Sequence, residues 1–245
     1  TGLPASMGQL AALTTLELRS CESLTGLPES MGQLTALTTL DLSDCTSLRR
    51  LPASMGQLAA LTTLDLRSCE SLTGLPESMG QLTALTTLDL RSCESLTRLP
   101  ESMGQLTALT TLNLSYCTWL RRLPESIGQL AALTTLDLSH CRSLMGLPKS
   151  IGQLAVLTTL DLRDCYALPH AMHRLAGGVV AANKRFILSR RCELLLATFG
   201  RRRHLQGRFR LPPELWHLID ELLWQSQPER WLGLDSDDDD DDDDD

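Results

Sequence analysis

Long apolar runs, aromatic side chains and paired cysteine motifs are what this chain has least of. No apolar stretch approaches the roughly 18 residues that read as a membrane-spanning helix, so membrane partners are not expected. The opening TGLPASMGQLAAL has no basic segment leading into an apolar one and does not read as a secretory leader. It starts in mid-repeat without methionine, so the natural N-terminus is expected upstream. Aromatic residues are 4% of the chain against 42% hydrophobic overall, so the apolar interior must be mostly leucine. No CxxC pair occurs, which argues against zinc or dithiol redox chemistry. GxxxxGK[ST] is absent too, leaving phosphate-loop nucleotide hydrolysis without a basis. Cys165, His170 and His173 lack an evident fourth ligand for zinc. With no nucleophile–base set either, the chain reads as a non-enzyme that calls for no cofactor.

What is present is repetition. Residues 75–98 read LPESMGQLTALTTLDLRSCESLTR, and most of the first 165 residues restate them. Proline recurs at 4, 28, 52, 76, 100, 124 and 148, and cysteine at 21, 45, 69, 93, 117, 141 and 165, both in steps of 24. A fixed period of this size marks a solenoid, whose units bury their apolar faces only by stacking. Within one unit Leu85, Leu88, Leu90, Cys93, Leu96 and Leu99 trace LxxLxLxxCxxLxxL. Leu88 and Leu90 alternate with Thr87, Asp89 and Arg91, which predicts a short strand. Leu75-Pro76 opens the return path, with proline suited to a first helical position and Gly80 arguing against a long helix. Stacked cysteines would lie ~4.8 Å apart with parallel Cβ vectors, a poor geometry for disulfides. They read as buried free thiols able to offer a weak S–H donor to turn carbonyls, and they favour a reducing compartment.

The repeat LPxSxGQLxxLTTLDLxxCxSL resembles the leucine-rich repeats of plant-type intracellular nucleotide-binding immune receptors. The resemblance covers about residues 1–175. It implies an α/β leucine-rich-repeat solenoid, a right-handed horseshoe arc with a parallel sheet on its concave face and short helical turns on its convex face. It also implies a role in binding protein or regulating an attached domain, in signalling or a disease-resistance-like setting. The chain is expected to be a monomer, intracellular and cytoplasmic, with nuclear import a further expectation from its arginine cluster.

Three columns are expected to face outward from the strands. The first is threonine at 15, 39, 63, 87, 111, 135 and 159. The second is Glu17, Asp41, Asp65, Asp89, Asn113, Asp137 and Asp161, and the third Arg19, Ser43, Arg67, Arg91, Ser115, Ser139 and Arg163. They read as an open charged face, and Asp65, Asp89, Asp137, Asp161, Arg67, Arg91 and Arg163 are candidate contacts for a protein partner. Equivalent open carboxylates have nothing to separate their pKa values, which argues against acid–base catalysis.

Departures from the repeat point elsewhere. Residues 1–48 and 49–96 differ at six positions, Thr1/Arg49, Gly2/Arg50, Glu17/Asp65, Ser43/Arg91, Asp44/Ser92 and Thr46/Glu94. So uniform a surface has little scope to specify a different ligand at each rung. After Arg98 the pattern loosens, and Tyr116, Trp119, His140, Arg142 and Tyr166 replace serine, threonine or glutamate beside the cysteine turn. Tyrosine, tryptophan and arginine are the usual anchors of interfaces. These five are the leading candidates for partner contact.

Charge is segregated beyond the array. Residues 1–165 carry 11 basic and 15 acidic side chains, residues 166–210 carry 10 and one, and residues 211–245 carry one and 14. The array is expected to end at residue 175, with 176–234 a basic helical C-terminal cap and 235–245 a disordered poly-aspartate tail. Leu188, Cys192, Leu195 and Phe199 recur at helical spacing. Residues 184–210 are basic but carry no DNA-reading or aromatic-interleaved motif, so nucleic acid is not the expected partner. Residues 211–223, LPPELWHLIDELL, are similar to the opening helix of an F-box, which implies an alternative role as a ubiquitin-ligase substrate adaptor.

Overall fold

A computed structural model of the chain describes residues 2–168. The chain divides into two units, Thr1–Ile187 and Leu188–Asp245, and every described residue belongs to the first. The cap, the poly-aspartate tail, the F-box-like segment, the end of the array at 175 and the histidines His170 and His173 lie outside the described residues.

Seven strands follow the 24-residue period: β1 Thr15–Glu17, β2 Thr39–Asp41, β3 Thr63–Asp65, β4 Thr87–Asp89, β5 Thr111–Asn113, β6 Thr135–Asp137 and β7 Thr159–Asp161. They form one parallel sheet in sequence order. Each residue pairs with its own equivalent in the next repeat, as Thr87 with Thr111 and Leu88 with Leu112. The ladder runs past the strand ends, with Leu90 N–H donating to Asn113 O and Ser92 N–H to Ser115 O, both at 2.8 Å. Parallel strands need a crossover, and here a single 3₁₀ turn per repeat supplies it.

That turn spans Glu77–Gln81 in the fourth repeat and recurs from Ala5–Gln9 to Lys149–Gln153. Pro76 does not occupy its first helical position as expected. It sits one residue earlier in extended conformation, φ −71° and ψ 151°. From there its carbonyl accepts Met79 N–H at 3.0 Å and closes the turn. Where the preceding repeat carries glutamate, that side chain caps the next turn: Glu29 accepts Ser54 N–H at 3.0 Å and Glu101 accepts Ser126 N–H at 3.2 Å. Helix starts leave N–H groups without internal partners, and these carboxylates fill that need between rungs.

The core is a stack of identical layers. Met79, Leu82, Leu85, Leu88, Leu90, Cys93 and Leu96 of one unit are fully buried against their equivalents. From Cys45 to Cys165 each thiol donates to a carbonyl of the repeat before, as Cys69 to Leu42 O, Cys93 to Leu66 O and Cys117 to Leu90 O, all at 3.2 Å. The seven described cysteines are free. Burial raises the thiol pKa of Cys69 to about 12 and that of Cys165 to about 11, so neither is a thiolate at neutral pH.

On the opposite side, Gly80 is a point where consecutive units approach closely. A β-carbon there would lie 2.6 Å from Ser102 O and 2.8 Å from Ser102 Cβ, closer than atoms tolerate. The Gly80→Ala variant is expected to lose about 1–3 kcal/mol through this overpacking. Urea unfolding checks it, and an unchanged midpoint would contradict the packing described.

Candidate interaction surface

The strand face is less open than alternation implies. Asp41 and Asp161 are 5% and 8% exposed, and Ser43, Ser115 and Ser139 are also buried. The expectation of freely exposed acidic and third columns is therefore corrected. The cause is local: from Asp41 to Asp161 each acidic or amide side chain of the column turns back to accept the N–H two residues on. Asp41 takes Ser43 N–H at 2.9 Å, Asp65 takes Arg67 N–H and Asp89 takes Arg91 N–H, both at 3.0 Å. Asp137 accepts Ser139 N–H at 2.9 Å and Ser139 Oγ–H at 2.7 Å. Such side-chain-to-backbone bonds favour the turn that ends each strand.

Arginine completes the ladder. Arg67 lies 2.7 Å from Asp65 and 3.9 Å from Asp89, Arg91 lies 3.6 Å from Asp89, and Arg163 holds Asp161 at 2.6 Å. Arg19 reaches into the next repeat to Asp41 at 2.6 Å. These contacts make the carboxylates inequivalent, which corrects the expectation that nothing separates them. At Asp41 burial pushes the pKa up, but hydrogen bonds from Ser43 and Arg19 outweigh it and hold the pKa below the ordinary value. At Asp161 the Arg163 contacts outweigh burial in the same way. At Asp89 burial prevails over Arg91, and the pKa is raised.

The irregular residues lie along the edge where the strands end. One position there, occupied by Ser20, Asp44, Ser68, Ser92, Tyr116, His140 and Asp164, has φ between 56° and 61° in every repeat. Small polar residues adopt this left-handed conformation readily, whereas a bulky ring such as tyrosine is unusual in it. Tyr116 stacks on His140 with ring centroids 4.1 Å apart and planes 13° from parallel. His140 Nδ1 is 3.4 Å from Asp164 Oδ2, and Tyr166 Oη–H donates to Asp164 Oδ1 at 2.9 Å. The Asp164 contact raises the Tyr166 phenol pKa, while the positive charge of Arg142 acts in the opposite direction.

The structure thus brings Tyr116, His140 and Tyr166 into one chain through Asp164, and sets Arg142 within electrostatic reach. Trp119 is exposed three residues beyond Tyr116, with no ring partner among the described residues. Two members of this edge escape a reading that selects only aromatics and arginines near the turn. Met145, 49% exposed, replaces the threonine or arginine of earlier copies and bonds through its N–H to Arg121 O at 3.2 Å. Asp164 joins two of the rings. Met145 breaks its column and was readable in the repeat itself, whereas Asp164 repeats the residue type of Asp44 and gave no such signal.

Chemically the edge offers flat apolar area, hydrogen-bonding tips and one cation. Among the described residues no group of three or more His, Cys, Asp or Glu side chains is placed to hold a metal ion. Cys165 is buried and donates to Leu138 O at 3.0 Å. No helix among them is long and apolar enough to cross a membrane.

A parallel sheet in sequential order, a 3₁₀ turn per 24 residues and a leucine-lined interior define a leucine-rich-repeat solenoid. Two family models agree: one for a leucine-rich repeat region matches residues 64–141, and one for a leucine-rich repeat matches 132–154. The leucine-rich repeat domain of the type III effector XopL is 30% identical over 71% of this chain and 69% of that one, with a TM-score of 0.54. The chain belongs to the leucine-rich repeat family. More distant likenesses are the PEPR1–AtPEP1 complex, 25% identical over 67% of this chain with a TM-score of 0.42, and the Arabidopsis receptor kinase HAESA. HAESA, solved with the peptide hormone IDA and a co-receptor, is 24% identical over 68% of this chain with a TM-score of 0.43. The chain spans 26% and 32% of those two proteins. No curated protein matches it in sequence. Leucine-rich repeat domains are in general non-catalytic interaction modules, and neither matching model describes an enzyme.

The unequal carboxylates make a testable contrast. Asp41, with its lowered pKa, stabilises the fold fully above the ordinary carboxylate value, and that contribution is lost as pH falls through its folded pKa. Asp89 has the opposite sign: its ionisation opposes folding at neutral pH, and the penalty is relieved as pH falls through its raised pKa. Asp41→Asn is therefore expected to cost about 1 kcal/mol at pH 7, with the gap to wild type narrowing in acid. Asp89→Asn, matching the natural Asn113, is expected to cost nothing at pH 7. Urea unfolding at neutral and acidic pH checks both, and equal losses at pH 7 would refute the inequivalence.

Proposed function

We propose that the chain is a non-catalytic protein-recognition module whose contact surface is the edge formed by Tyr116, Trp119, His140, Arg142 and Tyr166, extended by Met145. One observation carries this reading. Six large apolar residues are exposed among those described, and four of them (Tyr116, Trp119, Met145 and Tyr166) share this edge. Clustered exposed apolar surface marks interaction sites, whereas singly scattered residues need no explanation. The rings of Tyr116, His140 and Tyr166 are held in the Asp164 network, so these three lose little freedom when a partner docks.

The strand face joins as a second contact. Asp65, Asp89, Asp137 and Asp161 with Arg67, Arg91 and Arg163 provide alternating charge that favours one docking register over others. Because these groups are largely satisfied among themselves, they contribute to orientation more than to affinity. The partner is another protein, bound by a monomer of this chain in an intracellular signalling or immune-receptor-like setting, and the resemblance of the repeat supports that setting. In the alternative reading, residues 211–223 recruit a ubiquitin ligase while the solenoid selects its substrate. Deleting 211–223 separates the two, since only an adaptor loses ligase recruitment while keeping its target.

The edge is tested by restoring the repeat. Tyr116→Ser with Trp119→Ser returns both positions to the residues of earlier copies, so the fold is expected to keep its stability. Proteins captured by the wild-type chain are expected to bind the double variant at least about tenfold more weakly, the loss of one or more anchors. Quantitative pull-down followed by titration of the captured partner measures it. Unchanged capture would remove the edge as the contact surface.

A further inference from the structure

In the earlier repeats, the columns that carry Trp119 and Met145 run through the stretch between the cysteine turns and the prolines without aromatic residues. An open depression of about 870 Å³ is lined there by Thr25, Arg49, Arg50, Ser71, Thr73 and Ser95. The lining comprises two guanidinium groups and four hydroxyls, without a carboxylate or an aromatic ring. Arg49 and Arg50 are exposed, and among the described residues no carboxylate lies within ion-pair distance of either. This differs from the strand face, where Arg19, Arg67, Arg91 and Arg163 are all paired.

Backbone contacts between repeats fix where these two side chains leave the chain. Arg49 N–H donates to Thr25 O at 3.3 Å, and Arg49 O accepts Thr73 N–H at 3.4 Å. Arg50 is bridged to Gly26 in the neighbouring repeat. The pair is also a departure from the repeat: the equivalent positions are Thr25-Gly26 and Thr73-Gly74, so two arginines have entered where neighbours carry no charge. Arg98, Arg121 and Arg122 continue the same face at equivalent positions and are likewise exposed.

We propose that this depression binds a phosphate monoester carried on an extended segment of a partner protein. A phosphorylated side chain brings a charge of about −2 and three acceptor oxygens, which suits several donors converging from adjacent rungs. A carboxylate offers fewer acceptors and would leave part of the donor set unused. Single-stranded nucleic acid fits less well, because its bases need aromatic platforms and the lining has none. The row of arginines beyond the depression, spaced by multiples of the ~4.8 Å between stacked strands, gives the rest of an acidic segment a track to follow.

The test uses the full chain and a defined probe, the acetylated and amidated peptide Gly-Gly-phosphoserine-Gly-Gly, followed by amide chemical shifts. The phosphopeptide is expected to move the amides of Thr25, Arg49, Arg50, Ser71, Thr73 and Ser95, and inorganic phosphate to compete with it. The unphosphorylated peptide is expected to leave them in place. Arg49→Thr with Arg50→Gly restores the neighbouring sequence, keeps the fold, and is expected to weaken binding at least about tenfold. Arg121→Thr with Arg122→Gly, outside the depression, is expected to leave those shifts intact. Equal binding by the Arg49/Arg50 variant overturns the proposal. So does tighter engagement of these residues by oligothymidylate or by phosphatidylserine vesicles. The Arg49/Arg50 variant changes no residue of the Tyr116 edge, and the Tyr116/Trp119 variant changes no residue lining the depression, so the two results are distinguishable.

Discussion

The described solenoid depends on each strand residue meeting its own equivalent one repeat away. The strands pair Thr87 with Thr111 and Leu88 with Leu112 without offset. A thiol from one repeat bonds a carbonyl of the repeat before it, and a glutamate from one repeat caps the turn of the next. Gly80 leaves room for Ser102 to close the gap. Because every contact between neighbouring repeats recurs at a fixed offset, the 24-residue period cannot drift. One inserted residue would displace the leucines, the thiols and the caps together. Stability in such an array is a sum of neighbour contacts, so no single repeat is a folding unit.

The same constraint shapes the surface. Stacking like on like places carboxylate over carboxylate, a repulsive arrangement unless each charge is answered locally. The strand face answers it with backbone N–H groups and arginines, leaving a column that is mostly satisfied. Such a face is a support before it is a contact. Freedom to specify a partner then lies where the columns break, because there a ring or a cation stands among residues that do not need it for the fold. Tyr116, in a left-handed conformation better suited to serine, illustrates the point: its packing gives no reason for a ring at that place beyond the stack on His140.

The architecture could be read from periodicity because periodicity is its physical cause. Leucine spacing placed a strand over residues 87–91, of which Thr87–Asp89 is strand, and Leu75-Pro76 located the return turn, with proline one position earlier than expected. The strand-face chemistry could not be read the same way. Alternation says which way a side chain points, not that Asp41 will bend back onto the N–H of Ser43. Nor does one repeat reveal that Cys93 will find Leu66 O, an acceptor 27 residues away that exists only after stacking. The edge residues Tyr116, Trp119, His140, Arg142 and Tyr166 were visible as broken columns, as Met145 was. What linked them, the Asp164 carboxylate between two rings, required three rungs to be set side by side.

The division of labour between copies and exceptions can be tested by removing copies. Deleting residues 49–96 takes out two whole repeats in phase, joining Leu48 to Thr97 with every column intact. The shortened array keeps five repeats, above the three or so that stacking requires. A folded chain with a lower urea midpoint and unchanged affinity for the partner of the Tyr116 edge is the result this account predicts. A folded chain that no longer binds that partner would contradict it, because recognition would then reside in the copies themselves.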